Sequence, residues 1–443
     1  MPQTHPNIVL LHAHDAGRWC SPCGAPVKTP HIAGFAREGV LFRKAYCAAP
    51  TCGPSRAAML SGQHPHQVGM FGLPGAQGWK FDDYNKHLVQ QLNRWGYHTA
   101  LAGCQHEVDH ADISPLGYAE ILSRPGRLDG ECYPETIVDV EHFLAREHGK
   151  PFFLSFGVDE PHNDNLARPE LRMHGKADRH SKTRYYDPLK LDSRYVAPPA
   201  HLPDLPEIRR EMASLAVGAK IMDEYFGRVL WALHHYGYDE NTLVIITTDH
   251  GLELPGGKKT LSDMGLGVML LMRGPGGFRG GKVFDGLVSH LDLYPTICDL
   301  VGQEHPPWLE GRSLVPLVEN RVNDGALHSE IFGEQTYHGG LEPLRCIRTE
   351  RHKLVLRHFA DGPRLAAAGV SGDRMTELGW LNRPLGHVEL FDLYLDPTEA
   401  CNRADDPAYA TVREDLERRL RDWMARTGDP FPTGSFPPPP GRR

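Results

Sequence analysis

A cysteine, a proline and an arginine stand in the order Cys52-x-Pro54-x-Arg56 within "TCGPSRAAMLSGQ" (51–63), directly before an apolar helical pattern. Taken alone this is a loop: Gly53 and Pro54 break structure, Ser55 caps a helix, and a lone cysteine most often serves as a small buried hydrophobe. That plain reading gives way only if other reactive side chains converge on Cys52. Four apolar runs end in such side chains. "NIVLLHA" leads into His14-Asp15, "TLVIITT" into Asp249-His250, "HTALAG" into Gln105-His106, and "PFFLSFGV" into Asp159-Glu160-Pro161-His162. Carboxylates and imidazoles gathered in this way can hold a divalent cation or move protons, and a neighbouring sulfur can carry a nucleophile.

The elements that must position these residues are legible as alternation. Runs at 7–13, 98–103, 151–158, 242–249 and 267–274 read as strands buried on both faces, and 29–39, 87–96, 135–148 and 206–237 read as helices. Strands alternating with helices predict an α/β fold, a large mostly parallel sheet sandwiched by helices, with ligands collecting at the carboxyl ends of the strands. One such ending would be unremarkable, but four suggest one shared site. After about residue 325 the pattern changes. "HSEIFGEQTY", "EPLRCIRTERHKLVLRHF" and "HVELFDLYLDP" read as a small antiparallel sheet, followed by a helix at 409–427. We therefore expect a catalytic domain over 1–325 and a smaller C-terminal α+β domain over 326–443. The tail "GSFPPPPGRR" is too rich in proline to fold and is either an extended strap or disordered.

Composition excludes several function classes. The 48 Lys and Arg against 56 Asp and Glu give a formal net charge of −8, which argues against a general nucleic-acid binder. No apolar run approaches the roughly 18 residues of a membrane span, so no membrane partner is expected. The N-terminus lacks a basic n-region and a cleavage site, and nine scattered cysteines do not make a disulfide framework; the expected location is the cytoplasm, with reduced thiols. Cys20 and Cys23 form a Cys-x-x-Cys pair with no second pair at zinc-ribbon spacing, which favours a structural or incidental role. "GLPGAQGW" (72–79) is glycine-rich but opens no helix of the phosphate-cradling type.

An Asp-bearing metal site beside a Cys-x-Pro-x-Arg turn resembles the formylglycine-dependent sulfatases of the alkaline phosphatase superfamily. The resemblance continues through "FRKAYCAAPT", "AAMLSGQHPHQVGM", "LDLYPTICDLVG", "EGRSLVPL" and "ELFDLYLDPTE", and looks most like the sulfamidase (heparan N-sulfatase) side of the family and related bacterial sulfatases. It implies an alkaline phosphatase-like fold and hydrolysis of sulfuric esters or sulfamates. It also implies oxidation of Cys52 to formylglycine by a maturation enzyme, the hydrated aldehyde then being the nucleophile. One diol hydroxyl attacks sulfur; the other expels sulfate by collapsing back to the aldehyde, a step a serine or thiol does not offer so easily.

By the same resemblance one divalent ion is held by His14, Asp15, Asp249 and His250. The family ion is Ca²⁺. His14 and His250 replace hard oxygen ligands with imidazoles, which shifts preference towards Mn²⁺ or Zn²⁺. Arg56 is implied to reach back to the diol and the metal-side oxygens, His106 to shuttle a proton, Lys258 (rather than Lys259) to contact the sulfate, and His162 to protonate the leaving group. His106 matches the histidine of the family's Gly-Lys-x-His stretch, and Gln105 is taken to stand where relatives carry its lysine, so one sulfate-binding cation is missing. Glu334, Tyr337 and His338 in "GEQTYHGG" (333–340) are polar enough to read a substrate headgroup, with a plain loop equally open. The Asp-His pair also occurs in phosphonate monoester hydrolases, which leaves a phosphonate monoester or phosphodiester substrate as the alternative. A non-catalytic binder of sulfated glycans is a third reading, and the intact Cys-x-Pro-x-Arg signal argues against it. A homo-oligomer is left open.

Overall fold

A computed structural model of the chain describes residues 5–122, 136–162, 191–359, 369–382 and 385–441. Residue 135 of the expected third helix and residues 442 and 443 of the tail lie outside that set. Nine strands form the main sheet: β1 (Asn7–Ala13), β2 (Val40–Tyr46), β3 (His98–Gly103), β4 (Glu120–Ile121), β5 (Phe152–Gly157), β6 (Thr242–Thr248), β7 (Gly267–Val268), β8 (Leu270–Arg273) and β9 (Lys282–Ser289). Their order is β4-β3-β5-β1-β6-β8-β2-β7, with β9 also beside β2. β1 lies parallel between β5 and β6, with His12 level with Gly157 and Thr247.

Alternate residues of the central strands enter opposite cores, which is why these runs are continuously apolar. Ile8, Leu10, Leu243 and Ile245 face a layer that includes Leu88 and Leu92 of helix α3 (Leu88–Arg94) and Tyr294 and Ile297 of α6 (Leu293–Leu300). Val9, Leu11, Val244 and Ile246 face α1 (Pro30–Glu38), α4 (Thr136–Leu144) and the long α5 (Pro206–His235), through Ile32, Val140, Met222 and Phe226. The run 267–274 is not one parallel strand. It breaks into β7 and β8, which pair antiparallel with β2 and, for β8, with β6. β2 and β9 had no counterpart in the sequence reading: β2 carries the charged pair Arg43-Lys44, and β9 carries Asp285 and Gly286.

A second, antiparallel sheet runs β10 (Glu330–Tyr337), β11 (Leu341–Thr349), β12 (His352–Arg357) and β13 (Val388–Asp392). Helix α7 (Ala410–Thr427) covers one face, packing Leu416, Leu420 and Trp423 on Ile347 and Leu354. Ile331, Leu344, Cys346 and Val355 of the other face join the core of the main sheet. β10 also hydrogen-bonds on both sides of α2 (Cys52–Ser61): Glu334 N donates to Ala48 O and Tyr337 N to Phe71 O, both at 2.9 Å. The second sheet thus brackets the helix that begins at Cys52. The tail is an extended strap as far as Gly441, where Tyr337 Oη donates to Pro437 O (3.0 Å) and Gly441 N to Gln77 O (3.1 Å). Among the described residues no helix is long and apolar enough to cross a membrane.

Candidate active site

The carboxyl ends of β1 and β6 lie side by side, so His14-Asp15 and Asp249-His250 meet. All four are buried. Asp15 has φ 57°, a left-handed conformation that costs a non-glycine residue about 1–3 kcal/mol. Its backbone N–H donates to Asp249 Oδ1 at 2.9 Å, which fixes that turn. The Asp249 carboxylate also accepts from His250 N (2.8 Å) and from Arg56 Nε (3.3 Å). The rest of the Arg56 fork goes to His12 Nδ1 (2.6 Å) and Ala13 O (3.4 Å). Arg56 therefore secures the carboxylate and the end of β1, and so reaches the metal-side oxygens. His12 can accept from that guanidinium because burial, then Arg56 itself, holds its pKa well below the usual histidine value.

Cys52 opens α2, where unpaired backbone N–H groups present partial positive charge. The helix is tied to the ligand strand by Ser55 Oγ, which donates to Asp249 O at 2.5 Å. Cys52 Sγ lies 3.4 Å from His250 Nε2. Burial would push this thiol up, but Lys258, His14 and His250 together hold its pKa well below the ordinary value. Lys258 Nζ donates to Asp15 Oδ2 at 2.8 Å and is 3.8 Å from Glu253 Oε2. Gly251 allows the loop carrying Lys258 to close over the site, since a Cβ there would lie 1.7 Å from Met264 O.

His14, Asp15, Cys52, Asp249 and His250 each bring one donor atom within 4.8 Å of the others. His250 Nδ1 donates to Gly251 O (3.0 Å), so its Nε2 lone pair faces Asp15 Oδ1 at 3.2 Å and Asp249 Oδ2 at 3.7 Å. Buried lone pairs aimed at one another are costly unless a proton or a cation stands between them. His14 and His250 answer with raised pKa values: burial opposes protonation, and Asp249 leads the groups that overcome it. Two carboxylates and two imidazoles closing on one point fit a divalent ion with mixed oxygen and nitrogen ligation.

The remaining sequence-predicted residues divide. His106 belongs to the cluster: its Nδ1 is 2.8 Å from His14 Nε2, it hydrogen-bonds Cys52, and burial brings its pKa down to about 4. His162 is partly exposed at the site's mouth, with Nε2 3.7 Å from Asp15 Oδ2 and 3.8 Å from Glu253 Oε2. His338 stands beside the site, with Lys258, Cys52 and Lys259 as its nearest charges; its Nδ1 is buried without a hydrogen-bond partner, and burial holds its pKa at about 3.

Gln105 turns away. Its Oε1 accepts from Glu107 N (3.0 Å) and Val108 N (3.2 Å), closing its own loop. Cys104 takes the inward position instead, with Sγ 3.7 Å from His106 Nε2 and the thiol pushed up to about 12 by burial. Laid residue by residue on Gly103-Cys104-Gln105-His106, the Gly-Lys-x-His pattern puts the lysine at Cys104, which corrects the assignment to Gln105. Glu334 is buried elsewhere, accepting from His66 N (2.7 Å) and paired with the His66 ring, with Arg345 Nε at 3.9 Å. Tyr337 stacks near Trp79 (5.4 Å between rings) and bonds the strap. In these contacts Glu334 and Tyr337 tie β10 to the segment 66–79 and to the strap. His12, Cys104 and Glu253 had gone unnoticed. A histidine inside an apolar strand was the available signal for His12, and the pattern's own spacing was the signal for Cys104.

Comparisons with known proteins bear on the family and the fold. The sulfatase family profile matches residues 6–303, and the profile for the C-terminal part of N-sulphoglucosamine sulphohydrolase matches residues 257–364. The chain is 29% identical to N-sulphoglucosamine sulphohydrolase of Homo sapiens over 462 residues, covering 96% of this chain and 91% of that protein. It is 24% identical to an ulvan-active sulfatase of Formosa agariphila, covering 96% and 75%. Among solved structures, a 2-O GAG sulfatase superposes with a TM-score of 0.73 at 21% identity over 97% of this chain and 94% of that one. A protein in complex with its substrate D-glucosamine-2-N,6-O-disulfate gives 0.72 at 19% over 98% and 100%. The phosphonate monoester hydrolase of Silicibacter pomeroyi gives 0.67 at 22% over 96% of each chain.

Proposed function

The chain belongs to the sulfatase family, and on that premise we propose that it hydrolyses sulfate esters or sulfamates with a formylglycine made from Cys52 and one divalent ion. The observation that carries this reading is the position of Cys52 at the start of α2, 3.4 Å from His250 within the His14-Asp15-Asp249-His250 donor cluster. When present, the hydrated aldehyde supplies an attacking hydroxyl and a second one whose deprotonation releases sulfate, while the ion supplies a Lewis acid. The chain's own residues do the rest. Arg56 keeps Asp249 charged and oriented. Lys258, already on Asp15, offers its ammonium to a sulfuryl oxygen. His106 takes a proton at the Cys52 side, and His162, flanked by Asp15 and Glu253, delivers one to the leaving oxygen or nitrogen. His338 faces the substrate's headgroup.

Residues 1–325 are the catalytic domain in this reading, and 326–443 the smaller domain that supplies His338. The described cysteines are free thiols, which supports a cytoplasmic setting, where a maturation enzyme must meet the chain. The imidazoles of His14 and His250 favour Mn²⁺ or Zn²⁺ over Ca²⁺. A second reading, hydrolysis of phosphonate monoesters or phosphodiesters, rests on the Asp249-His250 pair; the neutral thiol of Cys104 suits a singly charged ester of either kind. Aryl sulfate, N-sulfoglucosamine and aryl phosphonate assayed side by side separate the two. Cys52→Ala should fold and lose on the order of 10⁴-fold or more in kcat on the best of them. A variant that keeps a tenth of wild-type activity overturns both readings.

A further inference from the structure

The Cys20-x-x-Cys23 pair takes no part in the chemistry above. It lies on the loop between β1 and α1, in a short turn held by Cys23 N donating to Cys20 O (3.1 Å) and by Ser21 N donating to Thr29 Oγ1 (2.9 Å). The two thiols are close enough to influence each other's ionisation. They differ in setting: Cys20 is completely buried, whereas Cys23 is partly exposed and lines a cleft of about 750 Å³ together with Arg18, Trp19 and Lys259. Among the described residues neither cysteine belongs to a group of three side chains able to hold a metal ion, which leaves zinc without a ligand set.

We propose that Cys20 and Cys23 are a thiol–disulfide exchange site, with Cys23 the attacking thiol, Cys20 the resolving thiol, and a small disulfide of the glutathione class as oxidant. The Cys23 thiolate attacks one sulfur of that disulfide, forming a mixed disulfide and expelling one thiolate. Cys20 then loses its proton and attacks Cys23 Sγ, expelling the second thiolate and closing the Cys20–Cys23 bond. Two protein thiols are oxidised and one small disulfide is reduced to two thiols. The direction follows from access, since only Cys23 opens to the cleft, and from the charges there. The neighbouring Cys20 thiol, then Arg18 and Arg43, lower the Cys23 pKa, while its partner's rises. Outside the active-site Cys52 the setting differs: burial pushes Cys104, Cys298 and Cys346 up to about 12.

The test is to equilibrate the folded full-length chain in oxidised and in reduced glutathione, block remaining thiols by alkylation, and map the tryptic peptide 19–28. Oxidised buffer should give a peptide about 2 Da lighter than the dithiol and free of alkylation, and reduced buffer should restore two alkylated cysteines. Cys20→Ser should accumulate a glutathione adduct at Cys23, while Cys23→Ser should show none at Cys20. In the reduced wild type, iodoacetamide should label Cys23 before Cys20. Two alkylatable thiols after oxidised buffer, or an adduct on Cys20 but not on Cys23, overturns the proposal.

Discussion

Replacing Cys104 by lysine should change which charge the site prefers. Cys104 is buried beside His106, and its thiol is neutral at any working pH because burial pushes it up to about 12. The cations nearest the reacting group are engaged with carboxylates: Lys258 with Asp15, and Arg56 with Asp249. A singly charged sulfate or phosphonate monoester fits that balance better than a doubly charged phosphate monoester. An ammonium placed about 5 Å from the reacting oxygens, at an effective dielectric constant near 20, is worth about 3 kcal/mol to each negative charge there. Asp15 and Asp249 absorb part of that field, so the net gain for the second charge is about 1–3 kcal/mol, or roughly 5- to 150-fold in relative kcat/KM. The assay is kcat/KM for an aryl sulfate, an aryl phosphonate and an aryl phosphate on wild type, Cys104→Lys and the neutral control Cys104→Met. Wild type should favour the two monoanions, Cys104→Lys should narrow the gap, and Cys104→Met should leave it unchanged. A wild type that works best on the phosphate, or a lysine variant with an unmoved ratio, refutes the reasoning.

Further outcomes follow from the same geometry. His250→Ala should fold yet lose most of the roughly one bound metal ion per chain expected for the wild type, read by elemental analysis; undiminished metal content would remove His250 from the ligand set. Gly53→Ala should lower kcat, because the new Cβ would lie 2.7 Å from Pro74 Cδ and 3.0 Å from His106 O; full activity would mean the loop yields freely. Glu334→Gln should destabilise the fold by about 3 kcal/mol at neutral pH, since it takes from buried His66 its paired carboxylate, while Arg345 keeps Asp429. Although burial opposes it, His66 and then Arg345 hold Glu334 down from 4.5 to about 2, so its contribution is complete above 4.5 and lost as pH falls towards 2. Urea denaturation of both proteins should therefore show the gap closing in that window, and a gap independent of pH would refute the pairing.

Much of this molecule was legible because its core strands are simple. Val9, Leu11 and Ile246 fill one core and Leu10 and Ile245 the other, so the runs ending at His14 and Asp249 announced themselves, and the rule that ligands gather at strand ends located the site. β2 and β9 were not visible because charge on a pleated surface near a sheet edge breaks the apolar run. At the site the limit was direction. Sequence places Gln105 and Cys104 next to each other, but only the backbone shows that Cys104 points inward and Gln105 closes a turn. Glu334 was open to two readings, substrate reader or plain loop, because "GEQTYHGG" is polar throughout. Its partners, His66 at 268 positions' separation and Arg345 on the next strand, are matters of tertiary contact.

The most direct test of the central claim is the mass of the tryptic peptide 45–56 from protein purified out of its native host. That peptide holds both Cys47 and Cys52, so one serves as the control for the other. Conversion of the Cys52 thiol to the aldehyde should make the peptide about 18 Da lighter, with the loss on Cys52 and Cys47 still open to alkylation. An unconverted Cys52 thiol in protein that turns over sulfate esters or sulfamates would contradict the account.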